Sequence, residues 1–188
     1  MKITKTVTML GGLNQGIVQV SANIKFLIES NYLSSKDWGY CIQLCPYLSP
    51  SSNLLVSAEE YSHGYGMITA LSLNKIANIY GKSRRQVTRV VSQLIKKGIL
   101  LEKLDSAAEE EKERLGKVVR QREIYMNPEL IYAGDLQQIN MGTCLLLKRN
   151  DVIEQHNIKM PLKVIVKQEE EYGVLVTRKQ YEELMGMQ

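Results

Sequence analysis

The stretch from Lys82 to Lys97 constrains this chain more than any other: it holds six basic residues and no acidic one, laid over a helical apolar period. Val87, Val90, Val91, Leu94 and Ile95 recur at the spacing of one buried helix face, and Gly98 marks the stop. Ser83 and Gln86 stand three residues apart at its start, the pattern of a capping box. Such a helix must bury its dry side against neighbours, so its flanks decide the fold. Upstream, Ser72 can cap a short helix Leu73–Tyr80 with Ile76, Ala77 and Tyr80 inward, and Gly81 supplies the freedom for a sharp turn. Downstream the period changes. Leu100–Leu104 and Val118–Met126 read as paired strands, joined by the polar excursion DSAAEEEKERLG, which is too long for a tight turn. Helix, turn, helix and hairpin in this order predict a winged helix-turn-helix over residues 72–125.

The wet side of the second helix carries the chemistry. Arg85, Thr88, Arg89, Ser92 and Lys96 fall opposite the apolar stripe, with Lys82 and Arg84 at the amino-terminal end. A solvated helix in a chain with 20 acidic residues would mix signs; a face shaped by phosphates attracts Arg and Lys and rejects carboxylates. Arg84, Arg85 and Arg89 are long enough to reach guanine edges as a fork, and Gln86 and Thr88 are candidates for base or phosphate contacts. Ser83 is better used as the cap. On the returning strand Lys117, Arg120 and Arg122 are the candidate wing contacts, Arg120 and Arg122 sharing a face by the two-residue strand period. The acidic run from Glu109 to Glu113 keeps the far end of the hairpin away from DNA and makes it a candidate for a protein partner or a solvated loop.

Around this centre the chain reads as α+β. Residues 1–16 are a ragged terminus or an edge strand. Ile17–Tyr32 carries a helical stripe whose first turn can be extended. Ser35–Leu48 is a second helix, capped by Ser34 or Ser35 with Asp37 near its start and loosened at Pro46. Asn53–Ser57 reads as a short strand, and 58–70 as a polar connector containing His63. Beyond the turn at Asn127–Pro128, Glu129–Gly142 is expected to hold a short helical piece, Thr143–Leu147 a strand, and Asp151 the start of a helix around Val152–His156. Leu162–Lys167 and Tyr172–Val176 are expected as strands, and Thr177 with Gln180 as the capping box of a last helix Arg178–Met185. The organisation expected is a helical lead-in with a dimer contact over 1–57, the DNA-binding region over 58–135, and a small αβ appendage over 136–188.

Composition limits the rest. Net charge is only +4, so the distribution of charge argues more than its total. Cys41, Cys45 and Cys144 do not make a disulfide framework, and with only His63 and His156 beside them no zinc set assembles; buried thiols in a reducing, cytoplasmic setting are expected. There is no membrane-length apolar run and no export signal. No catalytic set is found. The GKS at 81–83 lacks the earlier glycine of a phosphate loop and follows a helix, not a strand; Asp135 has no second carboxylate nearby; the tyrosines lack a recombinase constellation. No enzyme activity, metal or cofactor is expected.

LSLNKIANIYGKSRRQVTRVVSQLIKKGIL and the later YMNPELIYAGD also resemble the winged-helix region of plasmid replication initiators of the RepL type and related phage or plasmid proteins of Gram-positive bacteria. There an N-P-E/D-L/I-x-x-x-G-D element follows the wing, here Asn127 to Asp135, and CIQLCPYLSPSSNLLVS is similar to the lead-in. The resemblance covers about 100 residues. It implies binding at an origin or operator, often as a dimer, with Arg84, Arg85, Thr88 and Arg89 in the major groove and Arg120 and Arg122 on the wing. The long acidic insertion and the tail after Asp135 depart from that pattern. The expected function is therefore a sequence-specific regulator of transcription, acting as a homodimer on an inverted repeat of double-stranded DNA. The alternatives are a replication initiator or segregation adaptor, a protein-docking winged helix without DNA contact, and an enzyme acting on nucleic acid. The wing tip and the C-terminal appendage are the expected protein-partner sites.

Overall fold

A computed structural model describes residues 4–8, 17–50, 52–57, 69–106, 120–167, 169 and 171–186. The chain is a mixed α+β protein with small antiparallel sheets. Strand β1 (Thr4–Thr8) lies at the edge of a sheet ordered β1-β2-β5, where β2 is Ile17–Ser21 and β5 is Ile131–Ala133. Helix α1 (Ala22–Glu29) follows β2 directly, because Ser21 ends the strand and caps the helix through Asn23 N–H at 3.2 Å. The helical stripe expected over 17–32, with a first turn that can be extended, is thus a five-residue strand and then a helix. Helix α2 (Ser35–Leu44) begins at the Ser34–Asp37 capping box and tightens into a 3-10 turn at Cys45–Tyr47, where Pro46 removes a donor.

Residues 54–56 make isolated bridges to Leu48, Tyr125 and Ala70. Asn53, at φ 59°, threads this crossing: its amide donates to the carbonyls of Met126 and Ile131 and accepts from Ala133 N–H. Asparagine tolerates that left-handed backbone, and its side chain can pair with two strands at once. Most of the connector, 58–68, lies outside the described residues, as does the acidic run at 109–113.

Then come α3 (Leu73–Tyr80), α4 (Arg84–Lys96) and a hairpin of β3 (Leu100–Ser106) and β4 (Arg120–Met126), in register from Leu100↔Met126 to Ser106↔Arg120. The remaining elements are β6 (Ile139–Asn140), α5 (Met141–Arg149), α6 (Val152–Gln155), β7 (Leu162–Lys167), β8 (Tyr172–Thr177) and α7 (Arg178–Leu184), with a sheet ordered β6-β8-β7.

Two expectations fail here. The short helical piece expected within Glu129–Gly142 is absent up to Asn140, where the chain holds strands and turns and only the start of α5 follows, because Ile131, Tyr132 and Ala133 are buried together against β2. The strand expected at Thr143–Leu147 is inside α5. Asn140 caps that helix, its leucines favour helix, and Lys148 and Arg149 sit at the negative helix end. An apolar run of this length fits a strand or a buried helix equally by periodicity.

The main core runs from Val18 to Met160 and takes Ile153 and Met160 from the C-terminal stretch. A smaller cluster of Tyr132, Leu136, Ile139, Cys144, Leu162 and Leu175 underlies the β6-β8-β7 sheet. All three cysteines are free and buried.

Candidate nucleic-acid interface

Helices α3 and α4 are held by caps at their starts and by packing on their inner faces. Ser72 caps α3, whose Ile76 and Ala77 enter the core while the Tyr80 ring packs tilted against Tyr40 of α2, centroids 4.8 Å apart, and donates its hydroxyl to the Tyr40 carbonyl at 3.2 Å. Gly81 takes φ 59°, closing α3 with hydrogen bonds back to Ala77 and Asn78. Ser83 and Gln86 then form the expected reciprocal cap of α4. Val87, Val91 and Leu94 are wholly enclosed.

On the other side of α4, Lys82, Arg84, Arg85, Gln86, Thr88, Arg89 and Lys96 are exposed and Ser92 is half-buried. Arg85, Arg89, Ser92 and Lys96 follow one another at spacings of four, three and four residues. They therefore form a single stripe about 17 Å long, from the helical rise of about 1.5 Å per residue. Among the described residues none of Lys82, Arg84, Arg85, Arg89 and Lys96 forms an ion pair. Two of the polar side chains are partly engaged in the helix: Gln86 Oε1 accepts from Ser83, and Thr88 donates to the Arg84 carbonyl at 2.9 Å.

The far end of α4 is pinned from three directions. Lys97, the sixth basic residue of the stretch, turns inward: its ammonium meets Asp37 at 2.7 Å and the Tyr32 carbonyl at 3.2 Å. Burial works against the Asp37 carboxylate, but Lys97 and the Ser34 hydroxyl outweigh it and hold its pKa below the ordinary value. Tyr32 donates its hydroxyl to the Lys97 carbonyl. Gly98, at φ 67°, lies against α6 so closely that a Cβ would meet Ile153 Cγ1 at 3.0 Å, and its carbonyl accepts from the Asn127 amide at 2.8 Å.

The hairpin departs from the expected pattern. Arg122 is half-buried and ion-paired to Glu102, and Lys103 pairs with Glu123 at 3.4 Å. The described stem is thus charge-balanced, and Arg122 is already engaged within its own sheet. Arg120 is placed by its backbone pairing with Ser106 alone; its side chain and Lys117 lie outside the described residues.

A second charged centre escaped the sequence. Glu129 is completely buried, and Lys163 of β7 reaches it at 3.2 Å, Asp151 at 2.6 Å and Glu154 at 3.7 Å; Arg178 forks onto Glu154 at 2.9 and 2.6 Å. Burial pushes the Glu129 carboxyl up to about 7 even against the attraction of Lys163. Asn127 closes the turn before it by accepting from Glu129 N–H. The Asn127–Leu130 segment is thus a structural clamp between the hairpin and β7. The sequence marked this segment, but the partners of the Glu129 carboxylate, Lys163 and Val164, lie 34 and 35 residues away, beyond any spacing rule.

Among the described residues no group of three or more His, Cys, Asp or Glu could hold a metal, and no helix is long and apolar enough to cross a membrane. No protein-family model matches the chain, and no match is found among curated proteins or solved structures.

Proposed function

We propose that α3, α4 and the β3–β4 hairpin act as a winged helix-turn-helix that binds double-stranded DNA in a sequence-specific way, with α4 in the major groove. The observation that carries this reading is the Arg85–Arg89–Ser92–Lys96 stripe along α4, its three cations exposed and no acidic residue between Lys82 and Lys97. A helix held by capped ends and an apolar underside presents these groups at fixed spacing. That lowers the ordering cost of an interface built on charge and forked hydrogen bonds. Arg84, Arg85 and Arg89 are the base-reading candidates; Lys82 and Lys96 are the phosphate contacts. Arg122 has a lesser role, since Glu102 already holds it.

The biological role proposed is transcriptional regulation in a phage or plasmid setting. A homodimer would place two copies of α4 roughly 34 Å apart on an inverted repeat. Selection of bound duplexes from a random pool, followed by anisotropy titration at several salt concentrations, tests the reading. A recovered consensus with salt-sensitive affinity supports it; affinity equal for all duplexes, or none, removes it. Mapping of bound sites in cells separates regulation, with scattered promoter sites, from initiation, with a site in the replicon's own origin.

A further inference from the structure

We infer that Gln93 of α4 reads an adenine in the major groove, about two base pairs beyond the base that faces Arg89. The inference rests on the DNA-binding reading above and adds to it a specificity residue and the base it selects.

The outer face of α4 is rich in donors and poor in acceptors. Lys82, Arg84, Arg85, Arg89 and Lys96 are exposed, and their charged groups carry N–H donors alone. They suit phosphate oxygens and the O6 and N7 acceptors of guanine. Adenine differs, because it shows an N7 acceptor beside an N6 amino donor. Its reader must donate and accept at once, and a side-chain amide does both in one plane. Helix α4 holds two such amides, Gln86 and Gln93.

Gln86 is already committed. Its Oε1 accepts from the Ser83 N–H and from the Ser83 hydroxyl, at 3.1 Å each. A backbone N–H can only donate, so the amide turns its oxygen to the cap and leaves its NH2 alone to face outward. Reading adenine with Gln86 would open the capping box that starts the helix. With that box closed, Gln86 can serve only a phosphate or another acceptor. The two hydroxyls of the face do no better. Thr88 donates its proton to the Arg84 carbonyl at 2.9 Å, and Ser92 is short and half-buried.

Gln93 is exposed, and no described residue holds either end of its amide. Arg85, Arg89 and Gln93 stand four residues apart and form one row on the helix. Each step of the row advances about 6 Å along the axis and turns about 40°. Base pairs stack at about 3.4 Å, so one step spans roughly two of them. The next member of the row is Lys97, which Asp37 holds at 2.7 Å. The outward part of the row therefore ends at Gln93. Taken in order, its side chains match guanine, guanine and adenine.

The test is selection of bound duplexes from a random pool by the unaltered full chain and by Gln93→Ala, Gln93→Glu and Gln86→Ala. Gln93 is exposed, so its variants keep the fold. The unaltered chain should select an adenine about two base pairs from a guanine. Gln93→Ala should lower the preference for that adenine by about tenfold or more, in titrations of the site against a singly changed one, and leave the other positions as they were. Placing 7-deazaadenine there removes the N7 acceptor, and should weaken the unaltered chain but not Gln93→Ala. Gln93→Glu can only accept, and should move the preference to cytosine, whose N4 group donates. Gln86→Ala should weaken all duplexes alike and keep the adenine. A consensus that Gln93→Ala leaves unchanged at every position, a relaxed position that is not adenine, or an adenine lost with Gln86→Ala and kept with Gln93→Ala overturns the inference while DNA binding stands. Binding to no duplex overturns both.

Discussion

Two regions of this chain handle positive charge in opposite ways. On α4, Lys82, Arg84, Arg85, Arg89 and Lys96 face outward with no ion pair among the described residues. In the C-terminal half, Lys163 is 2% exposed and has three carboxylates within 4 Å. The difference separates charge that the fold consumes from charge that the fold merely carries. Lys97 and Arg122 make the division sharper, because both are basic residues of the helix or hairpin and both are held by acids of the same chain. A basic residue is a candidate for DNA only after its internal partners have been counted.

The largest effect separating the two regions is on stability. Lys163→Met leaves Glu129 buried without its cation, and should destabilise the chain by about 3–5 kcal/mol. Adding Glu129→Gln should recover much of that loss, since the buried charge goes with its partner. Arg85→Ala and Arg89→Ala should each change stability by no more than about 0.5 kcal/mol, as surface substitutions without internal contacts. Urea unfolding of the four variants measures this. Equal losses in both regions would mean that the α4 arginines are structural after all.

That contrast also marks what the sequence could and could not disclose. The caps at Ser72, Ser83 and Thr177, the turn at Gly81 and the stop at Gly98 were readable because each is a local rule joining residues within a turn or two. The exposed side of α4 followed from the helical period alone. The Glu129–Lys163 clamp, the Asn53 crossing and the Arg122–Glu102 pair depend on residues brought together by strand order, and no periodicity encodes them. The misassigned segments have the same cause: Ile131–Ala133 and Thr143–Leu147 are short and apolar, and tertiary packing decided between helix and strand.

The next effect is on recognition. If Arg85 and Arg89 grip base edges, each alanine variant should lose about 1–3 kcal/mol of discrimination between the selected site and a mutated one. Losses equal on both duplexes would demote them to phosphate contacts. Smaller still is the contrast between Lys96 and Arg122. Lys96→Ala should weaken all duplexes alike and lower the slope of log affinity against log salt by roughly one unit. Arg122→Ala should change that slope by clearly less, because its charge is already neutralised by Glu102. An equal drop for both would show that the hairpin pair opens on DNA.

A pH dependence belongs to the internally paired charges alone, and its sign differs among them. Glu129 takes up its proton near 7 in the folded chain and near 4.5 when unfolded, so between these values the folded state holds more protons. Its contribution to stability is therefore fully present below about 4.5 and falls as pH rises through 7. Asp37 and Glu154 work the other way. Their carboxyls are held below the ordinary range, Glu154 first by the Arg178 fork and Asp37 by Lys97 and Ser34 against burial. Their stabilisation is present at neutral pH and lost in acid. The arginines of α4 add no such slope, since guanidinium stays protonated throughout. Comparing unfolding free energy from pH 4 to 8 in the unaltered chain and in Glu129→Gln isolates the first contribution. The variant should lack the decline on the neutral side while keeping the loss on the acid side. A neutral-side slope identical in the two would place the titrating group elsewhere and leave Glu129 ionised beside Lys163 across the whole range.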